Sequence, residues 1–112
     1  MNSIKTANGA TLRIAGVTGS VGIKDGSARD VKAAVNLLLH EGYEISTGAG
    51  SAAYISLDGK NVVKLDASGK VAVEKSGSGL KLTLQSGTMY AGLEASELSH
   101  VQTSNMATGV RG

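Results

Sequence analysis

From Gly42 to Leu65 the chain reads "GYEISTGAGSAAYISLDGKNVVKL", with apolar and polar residues alternating almost throughout and glycine-bearing turns breaking the run. Alternation at a period of two is the mark of a β-strand with one buried and one wet face. It predicts strands over 44–46, 52–57 and 61–65. Ala53, Ile55 and Leu57 oppose Ala52, Tyr54 and Ser56 in the second of these. Asp58-Gly59 between the last two is a strong hairpin signal, because Asp tolerates and Gly prefers the left-handed backbone that a tight turn needs. Gly42, Gly48 and Gly87 are read as further turn positions.

The same pattern extends both ways. Residues 11–14 and 17–23 read as strands, followed by a turn at Lys24-Asp25-Gly26-Ser27. Residues 70–75, 80–85 and 88–93 follow, separated by Ser-Gly turns, and Leu80, Leu82 and Leu84 share one face of their strand. One segment has a different period. "SARDVKAAVNLLLHEG", residues 27–42, places Val31, Ala34, Val35, Leu38 and Leu39 at helical intervals, with Ser27 as a cap and Gly42 as a stop. Local propensity alone makes it a helix. "GLEASELSHV", residues 92–101, is ambiguous in the same way.

Composition agrees with a strand-rich domain. The 112 residues include 16 Gly and no Pro, and the only aromatics are three Tyr. A core of Val, Leu, Ile and Ala suits pleated sheets, and 41% hydrophobic content suffices for a folded single domain over 1–112. The expected fold is all-β, a compact roll or sandwich of short, mostly antiparallel strands.

Charge and reactive residues narrow the function. The net charge is +2 and the basic residues are scattered, so the clustered stripe that binds nucleic acid is missing. There is no cysteine, hence no disulfide and no thiolate metal site. No apolar run approaches a membrane span of about 20 residues, and "MNSIKTANGATLRI" lacks the apolar segment of a secretory signal.

"GVTGSVG", residues 16–22, has glycines spaced like a dinucleotide-binding turn, but Lys24-Asp25-Gly26 stands where the helix should begin. "TGAGS", residues 47–51, lacks the Lys of a phosphate cradle. Asp58 and Asp66 lack the ligand density of a calcium loop and read as turn residues. His40 and His100 are isolated, Glu94 and Glu97 read as a solvated face, and no Ser elbow is present. No catalytic, metal-binding or cofactor-binding residue is therefore assigned. Tyr43, Tyr54 and Tyr90 are contact candidates, since tyrosine offers large amphipathic area at low entropic cost.

"LLLHEGYEISTGAGSAAYISLDGKNVVKL" resembles the FecR domain. That pattern runs through an apolar residue, a Gly-Asp-like turn, I-x-T-G, a run of small residues and L-x-D-G into an alternating strand. The matching positions are Leu39, Gly42-Tyr43, Ile45-Ser46-Thr47-Gly48, Ser51-Ala52 and Leu57-Asp58-Gly59. "LKLTLQSGTMYA" is similar to the family's L-x-L-x-x-G strand through Leu82, Leu84 and Gly87, and "VQTSNMATGVRG" to its closing segment. Tyr43 stands in place of the usual Asp, and Asn61 follows Lys60 where the family often has Ser.

The resemblance implies an all-β, extracytoplasmic or cell-surface module, and two short strands rather than a helix over 31–39. Without a signal peptide, a cytoplasmic location stands beside that one. The family continues past "VRG" into a further strand, whereas this sequence stops at Gly112 and carries neither the family's membrane span nor its anti-sigma segment. A missing closing strand would leave a sheet edge open, and "ATLRIAGVTGSVGI" would suit a neighbour's gap, with residues 1–11 as an extended arm.

The expected function is thus a non-enzymatic structural module that self-associates by β-strand addition, extending to filaments. Its expected interface comprises Leu12, Ile14, Val17, Val21, Tyr54, Tyr90 and Val110. The alternative is a signalling or sensing domain of a FecR-type regulator, and a third reading, a carbohydrate- or surface-binding module, rests on the tyrosines alone.

Overall fold

A computed structural model describes residues 3–5, 11–57, 61–77, 79–94 and 108–111. Twelve strands lie in these residues, and none of them is helical. In chain order they are β1 (Ser3–Lys5), β2 (Leu12–Thr18), β3 (Val21–Lys24), β4 (Asp30–Val31), β5 (Leu38–Leu39), β6 (Glu44–Thr47), β7 (Ala52–Leu57), β8 (Asn61–Leu65), β9 (Lys70–Ser76), β10 (Gly79–Ser86), β11 (Thr88–Glu94) and β12 (Thr108–Arg111). They form two sheets. Sheet A has the order β1-β10-β9-β6-β3-β4 and sheet B the order β12-β11-β8-β7-β2-β5. All pairings are antiparallel, so the expected all-β architecture is observed.

The two orders share a logic. Four of the chain's crossings between the sheets share one form, an arch through a corner: β2 to β3, β6 to β7, β8 to β9 and β10 to β11. These four arches stack in the same sequence in both sheets, and the registers bring all four corners to one end of the sandwich.

Inward-facing alternate residues meet between the layers. Sheet B contributes Leu12, Ile14, Ile55, Val63, Leu65 and Met89, and sheet A contributes Ile23, Ile45, Val71, Val73, Leu82 and Leu84, all buried. Burying an aliphatic side chain of this size is worth about 1.5–3 kcal/mol, so this apolar seam is the main stabilising term.

The corners are bonded to one another. The Gly48 amide donates to the Ser20 carbonyl (3.0 Å), the Ser68 amide to the Gly48 carbonyl (3.1 Å), and the Asp66 amide to the Thr88 carbonyl (2.9 Å). The buried Thr47 hydroxyl donates to the Asp66 carbonyl (2.6 Å) and accepts from the Gly69 amide (2.8 Å). Turns that would otherwise expose backbone groups thus satisfy each other.

The helix that local propensity suggests for 27–42 is not formed, and two short strands, β4 and β5, stand there, in keeping with the two-strand reading of 31–39. Val31, Ala33, Leu37 and Leu39 pack on the core, an every-second-residue pattern, while Val35 is 60% exposed. Asn36 is left-handed at φ 72°. Its amide donates to the Ile14 carbonyl and the Ile14 amide donates to Leu37. Pairing with β2 captured the backbone groups that a helix would have used internally.

The boundary expected between residues 14 and 17 is also corrected. β2 runs through it, carrying an extra residue at Ala15, and the break falls at Gly19, where φ is 74°. Gly42 (φ 92°) and Gly87 (φ 84°) are turn positions as expected. Gly48 lies at a corner, while Asp58, Gly59 and residues 95–101 fall outside the described residues.

The loop after β3 is held by Asp25, whose Oδ1 accepts from the Ser27 amide (2.7 Å) and the Arg29 amide (3.1 Å). The Arg29 and then the Ser27 amide hold this carboxyl below its ordinary value, because both bonds favour the charged form. A depressed folded-state pKa gives stabilisation that is full above the unfolded-state value and is lost as pH falls through the folded-state one. In an NMR titration the Ser27 and Arg29 amide shifts should move together with an Asp25 midpoint below that of a free aspartate. A midpoint at the ordinary value would contradict the turn.

Candidate functional site

β5 does not cover the whole of β2. Its pairing reaches Leu12 and Arg13, and the adjoining turn bonds as far as Ile14. β4 likewise pairs with only Ile23 and Lys24 of β3. Residues 15–22, which wrap the first corner, therefore present a sheet edge with no strand against it among the described residues. Their sequence is Ala-Gly-Val-Thr-Gly-Ser-Val-Gly, without a charge or a proline. The described strands at the other margins each carry or adjoin a charged or titratable residue: Lys5 in β1, Asp30 in β4, His40 after β5 and Arg111 in β12. Proteins usually blunt edges with such residues; this one is left unguarded, apart from the bulge at Ala15.

The apolar interior reaches this edge. Val17 stands in register with the wholly buried Ala53, so its side chain is on the inner face, yet it is 37% exposed. Val21 is half-buried against the core. Leu12 and Ile14 are fully buried, within a strand flanked by β7 and β5. The segment expected to serve as a free donor is therefore integral to its own sheet, and its flank beyond Ile14 has no strand against it among the described residues. The described part of the expected N-terminal arm, β1, pairs with β10.

On the outer face of sheet B the registers align Gly16, Tyr54, Lys64, Tyr90 and Gly109 across five strands. The Lys64 ammonium lies 6.0 Å from the Tyr54 ring centroid and 4.0 Å from the Asp66 carboxylate. Burial, and secondarily the Asp66 charge, raise the phenol of Tyr54. Two of the tyrosines singled out in the sequence thus share one row. Lys64 between them is the residue that sequence reasoning missed, because only strand register brings positions 54, 64 and 90 together. Val110 sits on β12 opposite Met89.

Among the described residues the chemically active groups remain apart. A cleft of about 380 Å³ on sheet A has Gly22, Ser46, Thr47 and Gly69 in its lining. At its rim Lys24 pairs with Asp30 (3.5 Å) and Lys70 with Glu44 (3.3 Å). Thr47 lines it, and its hydroxyl is committed to the corner. His40 lies edge-on to Tyr43, with ring centroids 5.5 Å apart. Among the described residues no three His, Asp or Glu side chains cluster as metal ligands, and no helix is long and apolar enough to cross a membrane.

The most distinctive feature is therefore the bare edge at 15–22, an arrangement suited to pairing with another strand. The chain matches no protein-family model, no curated protein and no solved structure.

Proposed function

We propose that this chain is a non-enzymatic association module that joins a second copy of itself by β-strand addition at residues 15–22. The observation that carries this is the uncharged edge at the first corner, which no described strand covers and where Val17 brings exposed apolar surface alongside backbone groups that pair with no other described strand. An added strand satisfies those groups and covers the end of the core at once. The edge offers no like charges to repel an identical edge.

Light scattering over a concentration series tests this. The mass should rise above that of one chain as concentration increases, with electron microscopy showing the form of the product. Val17→Lys should hold the protein monomeric across the same range. Its stem can lie along the apolar edge with the ammonium in water, so the circular dichroism spectrum should match wild type. A wild-type chain that remains monomeric throughout would overturn this reading and favour the FecR-type sensing role.

A further inference from the structure

Resting on that strand-addition reading, we infer that the pairing is isologous. Two copies join β2 to β2 antiparallel about a two-fold axis at Val17, and the assembly closes as a dimer instead of growing into a filament.

Strand direction is the first argument. β12 is antiparallel to β11, β11 to β8, β8 to β7 and β7 to β2. β12, at one margin of sheet B, and β2, whose flank beyond β5 is open at the other, therefore run the same way. Stacking copies head to tail would join them in parallel, the weaker pairing per residue and one found nowhere among the described strands. A two-fold axis normal to the sheets makes the joint antiparallel.

The second argument is steric. In sheet A one row runs Asp30, Lys24, Glu44, Ala72, Thr83, Ser3. If β12 of an incoming copy lay on β2, that copy's Ser3 would occupy the place Asp30 already fills. The two-fold arrangement avoids this. Each β2 runs away from its own cap, so the β5 of one copy lies past the corner of the other.

Register selects the residue on the axis. In an antiparallel two-fold pair some residue must stand opposite itself, since hydrogen-bonded and non-bonded pairs alternate. Ile14 directs its amide and carbonyl outward to Leu37 and Asn36. The extra residue at Ala15 shifts the alternation by one, so Val17, not Gly16, next turns outward. Val17 then exchanges both backbone bonds with Val17 of the second copy, and the two exposed side chains cover each other across the axis.

The chain has no cysteine, so a single introduced thiol reports the geometry. A self-opposed pair has its Cα atoms about 5.5 Å apart, inside the disulfide range of about 4.4–6.8 Å. Under mild oxidation, at a concentration where the wild type is associated, Val17→Cys should convert almost wholly to a disulfide-linked dimer. Gln85→Cys, exposed on β10, should not. Wild-type mass should level off at two chains.

If the wild type associates but Val17→Cys does not couple to itself, the two-fold inference fails. Coupling of Val17→Cys to Val110→Cys in a mixture, or a mass that climbs without a plateau, would also overturn it. In each of those cases strand addition survives. A wild type that never associates removes strand addition itself.

Discussion

Replacing Gly87 by alanine is expected to be the most damaging single-methyl change at the corners of this fold. A Cβ there would lie 2.6 Å from the Gly69 Cα and 3.1 Å from the Ser68 carbonyl oxygen, both backbone atoms, and φ is already +84°. Left-handed strain costs roughly 1–2 kcal/mol in a residue with a Cβ, and overpacking adds about 1–3 kcal/mol. Because two corners must separate to admit the methyl group, the sum should be about 3 kcal/mol. For a domain of this size that is a fall of roughly 10–20 °C in Tm. Gly50→Ala is the control, since Gly50 is also left-handed at +66° but has nothing within 4 Å of the added atom. It should lose only the conformational part. Equal urea midpoints for the two variants would show that the Gly69–Gly87 contact is not tight.

Thr47→Val should come second. The hydroxyl is buried, donates to the Asp66 carbonyl and accepts from the buried Gly69 amide. Valine has nearly the same shape but leaves both backbone groups unsatisfied, at a cost of about 1–3 kcal/mol. Thr47→Ser keeps the hydroxyl and loses a methyl, worth about 0.8 kcal/mol. The more polar variant is therefore the more stable one, the reverse of what burial alone suggests. A valine variant at least as stable as the serine variant in denaturant unfolding would remove the hydroxyl from its bridging role. Thr47 and Gly87 act on the same corner turn at 66–69, so the double variant should depart from additivity.

Several elements were legible from residue order. β7 and β8 match their expected bounds, because alternation over 52–57 and 61–65 states directly which face is buried. The turns at Gly42 and Gly87 could be named for the same local reason: a backbone that must turn selects glycine there. The segment 27–42 was not legible. Helical spacing at 31, 34, 35, 38 and 39 was overruled by pairing with β2, and the working set became 31, 33, 37 and 39. Period in a short apolar run does not decide between strand and helix until a neighbour offers hydrogen bonds.

The site divides the same way. Val17 and Val21 were expected at an interface and sit at the open edge, whereas Leu12 and Ile14, drawn from the same alternating stretch, are sealed in the core. Nothing local separates them, since all four are aliphatic residues in strand-like sequence. What separates them is how far β4 and β5 extend. The sequence by itself determined an all-β chain with an aliphatic core, glycine turns and no evident reactive constellation. Only the tertiary structure decided that four arches stack with their corners at one end, that Lys64 lies between Tyr54 and Tyr90, and that no described strand covers residues 15–22. Periodicity and turn chemistry act over a few residues, whereas edges and rows arise from pairings between strands far apart in the chain.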